Sequence, residues 1–254
     1  GLLSLNANLV YTIDSAWEVY ASAGQGFHSN DVRGNTITVD PVSGLPSDPV
    51  DPLVQSTGAE LGMRFESGER LNATVTAFWL ELDSELLFVG DAGSTEALGE
   101  SERVGIEFAS FFQLNEWLAA NFAYTYTDSQ FKQDEGFGRE IPGAIESSAM
   151  LGVNAVWQNG LFASGRARYL GSAPLVEDGS VRSDSSLLIN VGIGYRLESV
   201  EFALDVFNLL DSNDDDISYF YTSRLTGEPL SGVDDVHFHP LEPRSARLSV
   251  TFSW

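Results

Sequence analysis

Three short segments carry side chains that could bind something. His237-Phe238-His239 places two imidazoles on one face of an extended chain, a spacing that can chelate Zn²⁺, Cu²⁺ or Ni²⁺. Asp234 and Asp235 precede it, and the third histidine of the chain is His28. Either the three histidines converge on a transition metal, or they hydrogen-bond neighbouring loops together. Asp211-Ser212-Asn213-Asp214-Asp215-Asp216 alternates carboxylate and amide oxygens like the start of a Ca²⁺ loop. Asp211, Asn213 and Asp215 would be the ligands, but the glycine and distal glutamate of such a loop are missing, so a solvated acidic loop is the competing reading. Tyr219-Phe220-Tyr221 with Arg224 supplies rings and a guanidinium, which suit either stacking against a substrate or packing within the loop. No nucleophile–base pair, phosphate loop or zinc-protease helix is found, so the chain is not expected to be an enzyme.

The elements that hold these segments follow a period of two. Leu248, Val250, Phe252 and Trp254 alternate with Arg247, Ser249, Thr251 and Ser253. Leu187, Ile189, Val191, Ile193 and Tyr195 alternate with Asn190, Gly192, Gly194 and Arg196, and Val200–Phe207 and Leu118–Thr127 repeat the pattern. The other strands are expected over 2–12, 17–27, 55–66, 70–82, 103–113, 147–157 and 161–171, about eleven in all. Most have the ~9–11 residues that a tilted strand needs to cross a bilayer. Their connections alternate between short turns and long loops, which distinguishes an outer-membrane barrel from a soluble sandwich. Aromatics such as Trp17, Trp79, Trp117, Trp157 and Tyr195 fall near strand ends, where interfacial girdles sit. Glu60, Arg64, Glu107, Arg166, Arg168 and Arg196 are assigned to a wet inner face.

Composition agrees. The chain is 43% apolar and 20% charged, which excludes disorder. Mean hydropathy is close to zero, as expected when lipid-facing and lumen-facing residues alternate. Cysteine is absent, which removes disulfides and thiolate chemistry. A net charge of -24 excludes a nucleic-acid partner. It fits acidic loops that meet cations, or the polyanionic lipopolysaccharide surface of the outer membrane. No apolar run approaches the ~18 residues of a membrane helix. Gly1–Asn6 lacks a basic start and a cleavage site, so an export signal is expected upstream.

Several segments resemble TonB-dependent receptors. Tyr20-Ala21-Ser22-Ala23-Gly24-Gln25-Gly26-Phe27, with Asp31 after it, is similar to a strand and loop of that family. So are Thr57–Gly62, Ala77-Phe78-Trp79, Arg103–Phe108, Ala123–Asp128 and Leu204-Asp205-Val206-Phe207-Asn208-Leu209-Leu210-Asp211. Ile141-Pro142-Gly143-Ala144 matches a further segment, with Ala144 where the family has a second proline, and Pro243-Arg244 leads into a last strand with a terminal aromatic. The segments follow the family order and span essentially the whole chain. The resemblance implies an all-β, antiparallel transmembrane barrel of about 22 strands with a plugged lumen, of which residues 1–254 are the C-terminal part without the plug. It also implies a Gram-negative outer-membrane location, an N-terminal plug domain in the same polypeptide, and energy delivered through the plug by the TonB complex. The small-molecule substrate would be a siderophore, cobalamin, metal chelate or similar scarce solute. His28, Asp31, Tyr219, Tyr221, Arg224, His237 and His239 are its candidate contacts. A passive porin-type channel and a soluble secreted β-sandwich that binds other molecules are the alternatives.

Overall fold

The computed structural model describes residues 3–29, 35–39, 44–46, 49, 51–89, 94–134 and 136–253, with backbone only for 85–89 and 94–98. Its framework is one antiparallel sheet of 11 strands. In chain order the elements are β1 (Asn6–Thr12), β2 (Trp17–Ser29), β3 (Leu53–Ser67), β4 (Leu71–Leu82), β5 (Glu85–Val89), β6 (Ser94–Leu98), β7 (Ser101–Asn115) and β8 (Leu118–Phe131). They continue with β9 (Ser147–Val156), β10 (Leu161–Leu170), β11 (Ser186–Arg196), β12 (Val200–Phe207), β13 (Asp215–Ser223), β14 (Val233–Pro240) and β15 (Ser245–Phe252). The sheet runs β1-β2-β3-β4-β7-β8-β9-β10-β11-β12-β15, so each strand lies beside its predecessor in the chain apart from two excursions. Those excursions, β5–β6 and β13–β14, are separate hairpins inside long connections. Both regions were expected as loops; the backbone pairs locally there instead.

One side of the sheet is apolar. Leu61 pairs with Ala77, Ala77 with Ile106, Ile106 with Tyr126, and the row continues in register. Leu61 is 60% exposed and Ile193 51% exposed. A water-soluble sandwich would bury such residues against a second sheet. Among the described residues no second sheet covers them, so the sandwich alternative fails and this face is the lipid-facing one. Near the short turns it carries Trp17 against Phe65 at 4.5 Å and Trp117 stacked on Trp157 at 5.2 Å, as an interfacial girdle requires.

Three of the short turns are built by side-chain caps. The Asp14 carboxylate accepts the amides of Ala16 (2.7 Å) and Trp17 (2.9 Å). Asn115 accepts from Trp117 and Asn159 from Leu161, each at 3.0 Å. These Asx turns reverse the chain within a few residues. The long connections all emerge at the opposite end of the sheet.

The other face is polar, and the pairing puts Glu60, Arg64, Glu107, Arg166, Arg168 and Arg196 on it together. Arg64 lies opposite Glu18 and Thr74, Glu107 opposite Thr76 and Thr125, and Arg166 opposite Gly152 and Asn190. A recurring unit pairs an acid, an arginine and a ring. Arg64 bonds Glu18 at 2.8 Å with its guanidinium 5.8 Å from the Tyr20 ring. Arg196 bonds Glu201 at 2.6 Å and lies 5.4 Å from Phe162. Arg247 bonds Asp205 at 3.0 Å and lies 5.1 Å from Phe207. Three inner-face rings sit on glycines of the adjacent strand: Tyr20 on Gly62, Phe78 on Gly105 and Phe162 on Gly194.

Candidate functional site

The loop end of the sheet contains the best-buried apolar residues among those described, and they belong largely to loops. Ile141, Pro174, Ala173 and Leu175 are buried there, as is Phe131 at the end of β8. Backbone bonds from Gly143 to Pro174 and from Glu140 to Glu177, both 2.8 Å, join the β8–β9 and β10–β11 connections. Gly138, at φ 109°, lies so close to the Glu177 carbonyl that no side chain would fit. The Asp134 carboxylate accepts the amides of Gly136 (2.7 Å) and Gly138 (3.1 Å), which holds its pKa below the ordinary value. Lys132 bridges Glu81 and Glu100, and these bonds, that to Glu81 first, hold its pKa above the ordinary value. The mouth is therefore a packed rim.

The β13–β14 hairpin leans from this rim toward the inner face. Arg168, on that face of β10, reaches Asp216 of the hairpin at 3.4 Å. Leu170 and Ser186, on the same face, line a cleft of about 190 Å³ shared with Ile217 and Tyr219. Two anchors hold the hairpin's base. Asn208 donates from Nδ2 to the carbonyls of Ser212 (2.9 Å) and Glu242 (3.0 Å), accepts the Ser212 amide at 3.0 Å, and donates its own amide to Asn190 at 3.0 Å. Asp214 accepts the Leu187 amide at 2.9 Å.

Hairpin register decides which predicted residues meet. Tyr219 pairs with His237, Ile217 with His239 and Tyr221 with Asp235. Alternation then puts Tyr219, Tyr221, His237 and His239 on one face, with Phe220 and Phe238 on the other. His237 stacks on Tyr221 with ring centroids 3.9 Å apart and faces the Tyr221 carbonyl through Nε2 at 3.3 Å. Arg224 does not join them; it bonds the Glu228 carbonyl at 3.3 Å and closes the hairpin tip.

Other expectations disperse. His28 is next to the end of β2, and seven strands of the sheet order separate β2 from β12, which leads into the hairpin of His237 and His239, so the strand order does not bring the three histidines together. Asp31 lies outside the described residues. Asp211 turns away to Arg244, accepting its amide at 2.9 Å, while Asp215 faces the Ser218 hydroxyl at 3.4 Å. Among the described residues no three His, Asp or Glu side chains are placed to hold a metal ion. The anchoring carboxylate of this run is Asp214, which was not singled out. Asn208 was also missed as a site, although it lies in the Leu204–Asp211 segment that resembles the family. Its signal was a single asparagine directly after an alternating strand, a residue that tolerates the left-handed φ of 47° found there.

Asp214 makes a pH prediction. The Ser212 hydroxyl and then the Leu187 amide hold its pKa below the ordinary carboxylate value. Its contribution is therefore present above about pH 4 and is lost as pH falls through the lowered value. Melting curves of wild type and Asp214→Asn are expected to differ at pH 7 and to converge in acid. A gap that widens in acid would contradict the assignment.

An apolar outer face with girdles, a charged inner face, short turns at one end and packed loops at the other define the wall of an outer-membrane β-barrel. Residues 2–209 match the family described as TonB dependent receptor-like, beta-barrel. The chain belongs to that family. It is 25% identical over 237 residues to the iron-regulated outer membrane virulence protein of Vibrio cholerae serotype O1, covering 84% of this chain and 36% of the relative. The chain thus spans about a third of the curated relative's length. In fold it is similar to the ferric-catecholate import receptor Fiu of E. coli K12, with TM-score 0.73, 20% identity, and coverage of 97% of this chain and 34% of that one. It is also similar to the ferric yersiniabactin uptake receptor FyuA of Yersinia pestis (TM-score 0.71, 17% identity, 97% and 36% coverage). A third likeness is to the copper transporter OprC (TM-score 0.70, 16% identity, 98% and 39% coverage).

Proposed function

We propose that this chain is the C-terminal part of the barrel of an active importer, which carries a scarce metal chelate, siderophore, cobalamin or similar solute across the outer membrane. The observation that carries this reading is the inward-leaning β13–β14 hairpin, which presents Tyr219, Tyr221 and His237 at the loop end of the sheet above the charged inner wall. A solute entering between the loops would meet rings and imidazoles before the lumen. The charged inner wall suits contact with an N-terminal plug of the same polypeptide, and TonB-coupled energy would act through that plug. The outer face with its aromatic girdle suits lipid and lipopolysaccharide. No covalent chemistry is assigned to any residue.

Names of similar proteins support the solute class: one is an iron-regulated outer membrane protein, one a ferric-catecholate import receptor, one a ferric yersiniabactin uptake receptor and one a copper transporter. The test is uptake by cells that express the whole protein as their sole receptor of this kind. Growth on limiting iron or copper complexes should depend on the protein and collapse when TonB is deleted. Uptake that survives TonB deletion, with ions passing freely through the purified protein in planar bilayers, would replace the importer with a passive channel.

A further inference from the structure

We infer that His237 and His239 form a two-imidazole capture site for a divalent transition-metal ion, which meets the hairpin as cargo. The two residues are alternate positions of β14, opposite Tyr219 and Ile217, so both imidazoles leave the same face of the strand. His237 is prepared for ligation. Its ring is held against Tyr221 at an interplanar angle of 17°, and Nε2 faces the Tyr221 carbonyl. A carbonyl can only accept, so Nε2 carries the proton and Nδ1 keeps the free lone pair. Metal-binding histidines are commonly oriented by such a second bond. His239 is exposed beside it. Imidazole nitrogen suits Cu²⁺, Ni²⁺ and Zn²⁺ and is a poor match for Ca²⁺ or Mg²⁺.

The surroundings favour a cation. Asp235, opposite Tyr221, shares the face with His237, whereas the nearby guanidiniums are engaged: Arg168 on Asp216, Arg244 on Asp211 and Arg224 on the Glu228 carbonyl. A negative mouth concentrates cations and repels anionic chelates. Because no third His, Asp or Glu completes the set among the described residues, positions stay open for water or for ligands the metal brings with it. Such partial ligation suits an ion that must be handed on.

This inference deepens the import reading, and its test does not require transport. The whole protein, purified in detergent without a histidine tag, is titrated with Cu²⁺ and with Zn²⁺ by calorimetry, and the Cu²⁺ complex is examined by electron paramagnetic resonance. The expected spectrum shows two imidazole nitrogens. His237→Ala and His239→Ala are each expected to weaken binding at least about tenfold, whereas His28→Ala and Phe238→Ala leave it unchanged. Phe238 lies on the opposite hairpin face, so its variant controls for hairpin damage. Absence of binding, binding indifferent to both histidine variants, or binding lost on His28→Ala would overturn the site. Intact binding without TonB-dependent uptake would instead remove the import reading and leave the site standing.

Discussion

Replacing Asn208 with alanine is expected to destabilise the folded protein by about 3–5 kcal/mol and to release the β13–β14 hairpin from the wall. Asn208 is 2% exposed and its side chain makes three hydrogen bonds, to Ser212 twice and to Glu242 once. Each such bond contributes about 1 kcal/mol net, and groups left buried without partners cost more. The left-handed φ of 47° adds roughly another 1 kcal/mol for a residue with an apolar Cβ. Asn208→Gly separates the two causes, since glycine accepts the φ at no steric cost but makes none of the bonds. It should recover only the smaller part. Urea unfolding of the whole protein in lipid vesicles measures the stability, and limited proteolysis between 208 and 244 reports the hairpin. If Asn208→Gly restores wild-type stability, the hydrogen-bond account is wrong and backbone strain alone matters.

The second large effect lies in the inner wall. Gly105→Ala is expected to cost about 3 kcal/mol or more, and Gly62→Ala distinctly less. A Cβ on Gly105 would meet the Phe78 ring at 2.4 Å and the backbone carbonyl of Tyr126 at 2.4 Å. The ring can swing away, but the carbonyl belongs to the adjacent strand and moves only if the sheet does. At Gly62 the close contacts are all with the Tyr20 side chain, the nearest at 2.2 Å. Double-mutant cycles should therefore diverge. In a Tyr20→Ala background, Gly62→Ala should cost almost nothing. In a Phe78→Ala background, Gly105→Ala should keep most of its cost. Tyr20→Ala carries its own penalty, because the Tyr20 hydroxyl meets the Thr76 hydroxyl at 2.6 Å and Thr76 is buried. Equal rescue at both positions would show that the strand spacing yields more readily than the contacts imply.

The strands, their faces and the alternation of short and long connections were legible in the amino-acid sequence. Each is a local property: the side-chain period along a strand is two, so Leu248, Val250 and Phe252 declare a lipid face without reference to any other segment. Asp14, Asn115 and Asn159 likewise write their turns within a few residues. The same period put Glu60, Arg64, Glu107, Arg166, Arg168 and Arg196 on one side before any pairing was known. At the mouth, tertiary structure decided. Tyr221 and His237 are sixteen residues apart, and their stacking depends on the register of β13 against β14. Arg168 meets Asp216 across 48 residues, and Asn208 meets Glu242 across 34. His28 and His237 look alike in sequence, but His28 lies on β2 of the main sheet and His237 on the separate β13–β14 hairpin that follows β12. Loop contacts carry no period, since they join residues that only a folded sheet brings near, whereas the strands announce themselves one segment at a time.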